Sequence, residues 1–305
     1  MAPRVAAPAS TRMKTPQVFP PRVHGTLDHL LGSRWRDATP VLLHDGANLV
    51  VRLERGKERW VVRVPRADDG VLQVDRKSEV AALRAAAGAG LAPAVVASET
   101  RSGLLVTRWL DGEVLTAEEA RTDQSIEAVA GLLAKLHGVA GSISIRRIDV
   151  PVLVRGYLER LAAVGDPMTQ ACRELESHAL HWLQGETGAR VLCHCDAHHR
   201  NVLQTKAGDW RLLDWEYAGF CHPLFDLAAY ACYHALDESG CARMLAAYGA
   251  TGTQHSAEEF ARWRWIFDYV WLLWLRASTG SAATGPPIDS DSLLTRLRAR
   301  MEPRG

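Results

Sequence analysis

The sequence predicts an α+β fold in which a small antiparallel sheet comes first and a larger, mainly helical region follows. Short β-rich runs separated by turn residues fill residues 41–109. From residue 126 onward, apolar residues recur at helical spacing. The 305 residues are 47% hydrophobic and 23% charged, which is typical of a globular chain long enough for two lobes.

The composition also bears on which molecules the protein binds and on the compartment in which it acts. A formal net charge of +1 indicates neither nucleic acid nor an acidic membrane surface as partner, and no apolar run reaches the length of a transmembrane helix. Residues 1–25 are rich in Ala, Pro, Arg and Thr and lack the apolar core of a secretory signal, so we predict a disordered tail there. The six cysteines are irregularly spaced, which favours reduced thiols and a cytoplasmic protein. The sequence predicts no particular oligomeric state.

The predicted first lobe, residues 26–112, begins with a strand hairpin. Residues 49–54 and 59–65 are β-rich runs joined by a short polar turn. A loop around Gly46 precedes them, and a glycine loop between strands can cover phosphates with backbone N–H groups, although most such glycines only make turns. Arg63 lies in the middle of the second run and alternates away from its apolar face, so it is either exposed to solvent or a phosphate contact.

The rest of this lobe comprises one helix and two further strands. Residues 74–87 have helical spacing, with Glu79 in the second turn. Residues 91–96 and 103–109 are expected to complete the sheet. The polar residues that follow break the pattern, so we place the lobe boundary near Gly112 and assign residues 113–305 to the second lobe.

Helices dominate the predicted second lobe. The apolar spacing predicts them over residues 126–136, 152–164, 168–183, 223–236 and 260–276. The last of these contains four of the ten tryptophans of the chain. Trp263, Trp271 and Trp274 share one helical face. Such aromatic side chains either fill the core or attract a cationic ligand through their ring quadrupoles.

Two polar motifs lie between these helices. His194, Asp196 and Asn201 follow a short apolar run in the pattern His-x-Asp-x4-Asn, and Asp214 ends the next apolar run. Phosphoryl transfer from a nucleotide needs a carboxylate to accept the proton of the substrate hydroxyl. It also needs an amide and a second carboxylate to hold magnesium on the phosphates. The spacing from Asp to Asn equals that of the protein-kinase catalytic loop.

With these motifs the chain resembles the aminoglycoside phosphotransferase/choline kinase superfamily, and within it the choline- and thiamine-kinase-like branch. Residues 194–201, 213–219 and 223–228 carry the resemblance, which extends from about residue 30 to the C-terminus. It implies a protein-kinase-like fold of two lobes: a small N-lobe with an antiparallel sheet and a larger, mainly helical C-lobe. It also implies ATP-dependent phosphorylation of a small, cationic alcohol of the choline or thiamine type, with Mg²⁺.

The resemblance further implies roles for individual residues. Asp196 accepts the hydroxyl proton, His194 supports the loop, and Asn201 and Asp214 bind the metal. Asp226 organises the backbone of the catalytic loop. The nucleotide contacts are expected at Asn48, Arg63, Glu79, Arg108, Trp109 and Leu110, with Glu79 pairing with Arg63 and the last three forming the hinge beside adenine. The candidate acceptor contacts are Glu216, Trp263, Asp268, Trp271 and Trp274.

The sequence also allows three alternative interpretations. An aminoglycoside or macrolide phosphotransferase would use the same chemistry, although His222 stands where relatives often have an Asp that a polycationic antibiotic would need. A pseudokinase-like binding protein is disfavoured by the intact Asp196, Asn201 and Asp214. A zinc site is disfavoured because the chain has no Cys-x2-Cys pair. The residues that prompted the zinc alternative are Cys193, His194, Cys195, His198, His199, Cys221 and His222.

Overall fold

The computed structural model describes residues 15–66, 74–184, 188–250, 254–278 and 289–301. The chain divides into two compact units. One consists of Met1–Ala67 and Val95–Trp109, and the other of Asp68–Ala94 and Leu110–Gly305. Within the described ranges, no helix combines the length and the apolar character needed to cross a membrane.

The first unit is built on one antiparallel sheet. Its strands are β1 (Thr39–Asp45), β2 (Asn48–Arg55), β3 (Glu58–Pro65), β4 (Val95–Glu99) and β5 (Leu104–Arg108), in the order β1-β2-β3-β5-β4. Alternation along β3 sends Trp60, Val62 and Val64 to the core, where each is at most 1% exposed. Arg63 lies on the opposite face, as predicted, but it is also buried.

The predicted disordered tail is wrong for residues 15–25. Helix α1 (Thr15–Val18) and a short 3-10 turn lead into helix α2 (His24–Leu31). Phe19 and Val23 are buried in the same hydrophobic cluster as the inward side chains of the sheet. The composition of this segment is polar, but its few apolar side chains recur at four-residue intervals and cover the sheet. Residues 1–14 lie outside the described residues.

The second unit consists mainly of helices, which confirms the predicted α+β architecture. They are α3 (Arg76–Gly88), α4 (Asp123–His137), α5 (Val150–Ala163), α6 (Thr169–Leu183), α7 (Leu224–Tyr233), α8 (Glu238–Gly249), α9 (Ala257–Ala277) and α10 (Ser290–Ala299). Helix α9 packs against α5, α6, α7 and α10, so it forms the centre of this unit. Ser256 caps its first turn by accepting a hydrogen bond from the N–H of Glu259 at 3.0 Å.

Two small sheets complete the second unit. Strands β6 (Gly112–Val114), β8 (Val202–Thr205) and β9 (Trp210–Leu212) form one, and β7 (Val191–Cys193) pairs with β10 (Gly219–Cys221) in the other. All of these pairs are antiparallel. The segments that leave β7 and β9 carry the polar motifs identified in the sequence.

The division into units differs from the predicted lobes. The break falls between Trp109 and Leu110 instead of near Gly112, and α3 belongs with the second unit. Hydrogen bonds explain the position of this helix, because Ser78 accepts one from the N–H of Arg146 at 2.8 Å. The apolar run at Leu91, predicted as a strand, also joins the second unit, since its carbonyl accepts a hydrogen bond from the N–H of Leu212.

Candidate active site

The loop after β7 is held in place by two buried side chains. His194 is completely buried, and its Nε2 lies 2.8 Å from the carbonyl oxygen of Leu213. Because a carbonyl only accepts, Nε2 carries the proton in this contact. Burial lowers the pKa of His194, so the imidazole is neutral. His194 therefore connects the loop to the segment after β9, and does not act as an acid or base.

Asp226, in the first turn of α7, fixes the backbone of the same loop. One carboxylate oxygen accepts the N–H of His194 at 2.8 Å, and the other accepts the N–H of Cys195 at 2.6 Å. Cys195 has φ 64°, a left-handed conformation that side chains other than Gly seldom adopt. The resemblance implied this organising role for Asp226, and these hydrogen bonds agree with it. They compensate the strain at Cys195 and set the direction of the next residue, Asp196.

His137 is a second anchor that the sequence interpretation missed. It is the last residue of α4. In the structure its Nε2 lies 3.1 Å from Asp226, and its Nδ1 lies 2.8 Å from the hydroxyl of Tyr248 on α8. The carboxylate of Asp226 therefore has donors on the catalytic loop and on α4. Sequence spacing cannot reveal such a contact, because His137 and Asp226 are 89 residues apart.

Asp196 is held at both carboxylate oxygens. Asn201 donates from Nδ2 to one oxygen at 3.0 Å and also to the backbone carbonyl of Asp196 at 2.9 Å. The hydroxyl of Tyr233 donates to the other oxygen at 3.0 Å. Tyr233 did not appear in the sequence interpretation. A signal was present, because Tyr233 lies seven residues after Asp226 in a predicted helix and hence on the same face.

Asp214 lies close to this carboxylate. It follows β9, is exposed, and has φ 58°. The N–H of Leu213, just before it, donates to the carbonyl of Asn201 at 2.8 Å, which joins the two motif segments. Burial, and then the negative charge of Asp214, raises the pKa of Asp196 well above its usual range.

The donor set fits a hard divalent cation. Since Nδ2 of Asn201 is turned to Asp196, the side-chain oxygen Oδ1 is its remaining polar atom. Carboxylate and amide oxygens are the ligands that magnesium prefers. The negative charges of Asp214 and Glu216, both close enough to raise the pKa of Asp196, would be offset by such a cation.

Glu79 and Glu216 share a partner that the sequence did not predict. Arg76 donates from Nη1 to Glu79 at 2.9 Å, and the same nitrogen lies 3.4 Å from Glu216. Arg76 and Glu79 are both buried and both lie on α3, so the contact of Arg76 with Glu216 is the one that joins this helix to the segment after β9. The predicted pairing of Glu79 with Arg63 stays a prediction. Glu216 remains near Asp196, but part of its charge is already balanced by Arg76.

The tryptophans of α9 occupy different surroundings. Trp263 stacks on His222 with ring centroids 4.4 Å apart and is buried in the core. Trp271 is also buried, and packs edge-on against Tyr233 at 4.6 Å. Trp274 is only half-buried, and its Nε1–H donates to the hydroxyl of Tyr217 at 3.3 Å. Trp274 is thus the member of the set with surface left for a ligand.

The prediction that Asp268 contacts the acceptor is wrong. Its side chain is 1% exposed, and its two oxygens bind Arg296 at 2.6 Å and Arg300 at 2.7 Å. A buried carboxylate needs such compensation, and two guanidinium groups supply it here. Asp268 therefore attaches α10 and the residue after it to α9.

The candidate nucleotide residues of the first unit lie on its sheet. Asn48 begins β2 opposite Pro65, and Arg63 is centrally placed in β3. Arg108 ends β5. The next residue, Trp109, donates its N–H to the carbonyl of Arg59 at 3.1 Å. The hydrogen bond of that amide is therefore already made, which corrects the predicted hinge, in which the amide would contact adenine. Leu110 belongs to the second unit.

Comparison with known proteins identifies the relatives of this chain. Streptomycin 6-kinase from Streptomyces griseus is 32% identical over 170 residues, which cover 53% of this chain and 55% of that kinase. The chain thus matches little more than half the length of this relative. A solved choline/ethanolamine kinase family protein from Mesorhizobium loti has a TM-score of 0.72 at 23% identity, covering 93% of this chain and 95% of that chain.

A solved choline kinase from Streptococcus pneumoniae has a TM-score of 0.70 at 18% identity, covering 91% of this chain and 96% of that chain. The similarity to these two solved structures confirms the predicted kinase-like fold. The model of the phosphotransferase enzyme family, APH, matches residues 39–266. Since this match spans well over half of the chain, the protein belongs to the phosphotransferase enzyme family.

Proposed function

We propose that this protein transfers the γ-phosphoryl group of ATP to the hydroxyl group of a small molecule, with Asp196 accepting the hydroxyl proton. The observation that carries the proposal is the position of Asp196. Its carboxylate is fixed by Asn201 and Tyr233, 3.0 Å from each, and the charge of Asp214 acts on it. A carboxylate so restrained can orient an incoming hydroxyl toward the phosphate, and orientation is the main component of catalysis in phosphoryl transfer.

The protonation chemistry supports the same assignment. The acceptor hydroxyl donates a hydrogen bond to Asp196, and its proton passes to that carboxylate as the new O–P bond forms and the bond to ADP breaks. Burial raises the pKa of Asp196, so the group binds the proton more firmly than an exposed carboxylate would. Asn201 and Asp214 would hold Mg²⁺, which neutralises developing charge on the phosphates when it is bound.

For the nucleotide, we propose contacts within the first unit. Arg63 is a buried cation in β3 that suits the α- and β-phosphates, and Asn48 begins the strand beside it. Arg108 and Trp109 would contact the adenine through backbone groups other than the Trp109 N–H. All six cysteines are free thiols, which is consistent with action in the reducing, ATP-containing cytoplasm.

For the acceptor, we propose a small alcohol that carries a positive charge, as in choline or ethanolamine. Trp274 and Tyr217 form an aromatic pair next to Glu216, and aromatic faces together with a carboxylate suit an organic cation. A specific observation favours a second candidate, an antibiotic, since the chain is 32% identical over 170 residues to streptomycin 6-kinase.

One experiment tests the reaction and ranks the acceptors. ATP turnover would be measured with Mg²⁺ against choline, ethanolamine, thiamine, streptomycin and kanamycin. ADP release that depends on one of these acceptors, with product of the mass of its phosphate ester, is the expected result. A chain that binds ATP but forms no product with any acceptor would instead behave as a pseudokinase.

The matched variants are Asp196→Asn and Asp209→Asn. Asp209 lies in the exposed turn between β8 and β9, so its loss should leave kcat unchanged. Asp196→Asn should lower kcat by about 10²–10⁴-fold, the usual contribution of a general base. The pKa of Asp196 is higher in the folded protein than in the unfolded protein. Ionised Asp196 therefore lowers the free energy of unfolding at pH values above the unfolded-state pKa. The Asn variant should therefore melt no lower than the wild type at neutral pH. A loss of kcat below tenfold would exclude Asp196 as the base.

A further inference from the structure

Behind the catalytic loop, three side chains from distant parts of the chain bring potential metal ligands together. Nε2 of His137 lies 3.8 Å from Sγ of Cys193 and 3.1 Å from a carboxylate oxygen of Asp226. The three ligand atoms are all within 4.8 Å of one another, and all three residues are buried. They come from α4, β7 and α7 respectively. None of them is among the residues assigned above to magnesium.

We propose that His137, Cys193 and Asp226 form a binding site for a thiophilic divalent metal ion of the zinc type. With metal–ligand distances of about 2.3 Å for sulfur and about 2.0–2.1 Å for nitrogen and oxygen, tetrahedral geometry places sulfur and nitrogen about 3.6 Å apart, and nitrogen and oxygen about 3.4 Å apart. The structure has 3.8 Å and 3.1 Å for these separations. These two separations therefore need to change by only a few tenths of an ångström.

The surroundings supply a partner for the second ring nitrogen of His137. The Tyr248 hydroxyl is 2.8 Å from Nδ1 of His137. A metal-bound histidine commonly donates its second ring N–H to an oxygen, and Tyr248 offers one in place.

The proton balance of binding is simple. Without metal, Nε2–H of His137 donates to Asp226, and the Tyr248 hydroxyl donates to Nδ1. On binding, Nε2 loses its proton and Nδ1 gains one, which it then donates to the Tyr248 oxygen. The thiol of Cys193 ionises. If the imidazole is neutral, binding of one metal ion therefore releases one proton in total, because only the ionisation of the Cys193 thiol is not balanced by a proton gained elsewhere. Asp226 retains the N–H of Cys195 on its other oxygen, so the catalytic loop stays attached.

Magnesium is not expected to compete for this site, because it prefers ligand sets made of oxygen, and sulfur selects softer ions. The proposed metal site uses none of the residues assigned to magnesium or to the acceptor, although Asp226 also holds the backbone of the loop that carries Asp196. It also differs from the zinc alternative weighed on the sequence. Of the residues in that set, only Cys193 is one of the three proposed ligands, and its partners lie on helices that the sequence pattern did not associate with it.

The test uses the full-length protein, stripped with a chelator and kept in excess Mg²⁺. The wild type should bind one equivalent of Zn²⁺, measured by elemental analysis after dialysis, and Zn²⁺ should raise its melting temperature. Co²⁺, used as a spectroscopic substitute, should give a thiolate-to-cobalt charge-transfer band. Cys193→Ser and His137→Gln should each weaken Zn²⁺ binding by at least tenfold. Cys241→Ala, which removes a buried thiol on α8, should retain it.

Two results would overturn the proposal. One is a Co²⁺ spectrum of the wild type without a thiolate band, which needs no variant and so remains decisive if a substitution prevents folding. The other is Zn²⁺ binding by Cys193→Ser or by His137→Gln that equals binding by the wild type. A thiolate band that is lost in Cys193→Ser and retained in Cys241→Ala supports it.

Discussion

At the scale of single residues, the Asp196 carboxylate, which we propose as the base, is held between donors from two elements. Asn201 comes from the short turn before β8, whereas Tyr233 comes from the last turn of α7. Tyr233 is itself supported, because the rings of Trp271 and Phe267 pack against it edge-on. The aromatic side chains of α9 therefore support Asp196 through Tyr233, and this role does not require contact with the acceptor.

We expect Tyr233→Phe to shift the pH dependence of catalysis. The Tyr233 hydroxyl donates to the ionised form of Asp196 and so lowers the pKa of that carboxyl, against the larger effect of burial. Removing the donor raises the pKa, and the acid limb of kcat/KM should move to higher pH, since activity needs the ionised form. At the optimum, kcat should fall roughly three- to tenfold, the effect of a hydrogen bond of ~0.5–1.5 kcal/mol.

Tyr230→Phe is the matched control, because its hydroxyl donates to the carbonyl of Ala120 and not to the site. It should lose a similar hydrogen bond without moving the pH profile. If Tyr233→Phe lowers kcat but leaves the acid limb in place, Tyr233 is a packing residue only.

Trp274 and Trp263 allow a test of the cationic acceptor. Trp274 is half-buried beside Tyr217, whereas Trp263 is stacked in the core. A cation–π contact contributes ~0.5–1 kcal/mol when exposed and ~2 kcal/mol or more when desolvated, so Trp274→Leu should raise the acceptor KM several-fold to tens-fold. The ATP KM should not change. Trp263→Leu should instead lower the free energy of unfolding by about 1–3 kcal/mol and leave both KM values alone. Equal acceptor kinetics in the two variants would count against the cationic alcohol.

The sequence was informative about single residues where the partners are close along the chain. Asp196 and Asn201 lie in one loop, so their spacing alone indicated that they belong to one site, and the structure adds the hydrogen bond between them. It was misleading where the partners are remote. Asp268 looks like a spare carboxylate on an aromatic helix until Arg296 and Arg300 are placed next to it. Such pairings depend on tertiary packing, which helical spacing does not encode.

At the scale of elements, the apolar spacing located most helices because each buries one face. Helix α9 was predicted over 260–276 and spans Ala257–Ala277. Helix α10 was not predicted, since only Leu293 and Leu297 of its residues are buried and most of the others are polar. Polar contacts attach it to α9. Asp268 of α9 lies between two guanidinium groups, and the Nε1–H of Trp265 donates to the carbonyl of Leu297.

The attachment of α10 gives a prediction about stability. Asp268→Asn should lower the free energy of unfolding by about 1–3 kcal/mol, less than for a fully buried pair because Arg296 and Arg300 are each about 30% exposed. Glu174→Gln is the control, since Glu174 of α6 pairs with Arg298 of α10. This ion pair is exposed on both sides and should contribute at most ~1 kcal/mol. Chemical denaturation measures both. A rise in the acceptor KM of Asp268→Asn, without loss of stability, would restore Asp268 as a substrate contact.

At the scale of the whole molecule, the order of elements followed from the sequence but their grouping did not. The five-stranded sheet belongs to the first part of the chain and most of the helices follow it, as predicted. The sequence could not show that α3 and the run around Leu91 belong with the helical unit, because this depends on hydrogen bonds from Arg146 and Leu212, far along the chain. Consequently, Glu79 is bound to Arg76 in the second unit, and Arg63 is the residue of the first unit on which the nucleotide proposal depends.

Arg63 therefore provides the test of nucleotide binding. Arg63→Ala should raise the ATP KM by roughly tenfold or more, because a charge-assisted hydrogen bond contributes ~1.5–3 kcal/mol. Arg63→Lys should raise it less, since the charge is kept and the bidentate geometry is lost. The acceptor KM should stay within twofold in both variants. Lys57→Ala removes one positive charge from the exposed turn between β2 and β3 and should leave ATP kinetics unchanged, which separates a local contact from a general effect of charge. If Arg63→Ala has a normal ATP KM but melts at a lower temperature, the guanidinium is a structural group of the sheet, and the phosphates are bound by other residues.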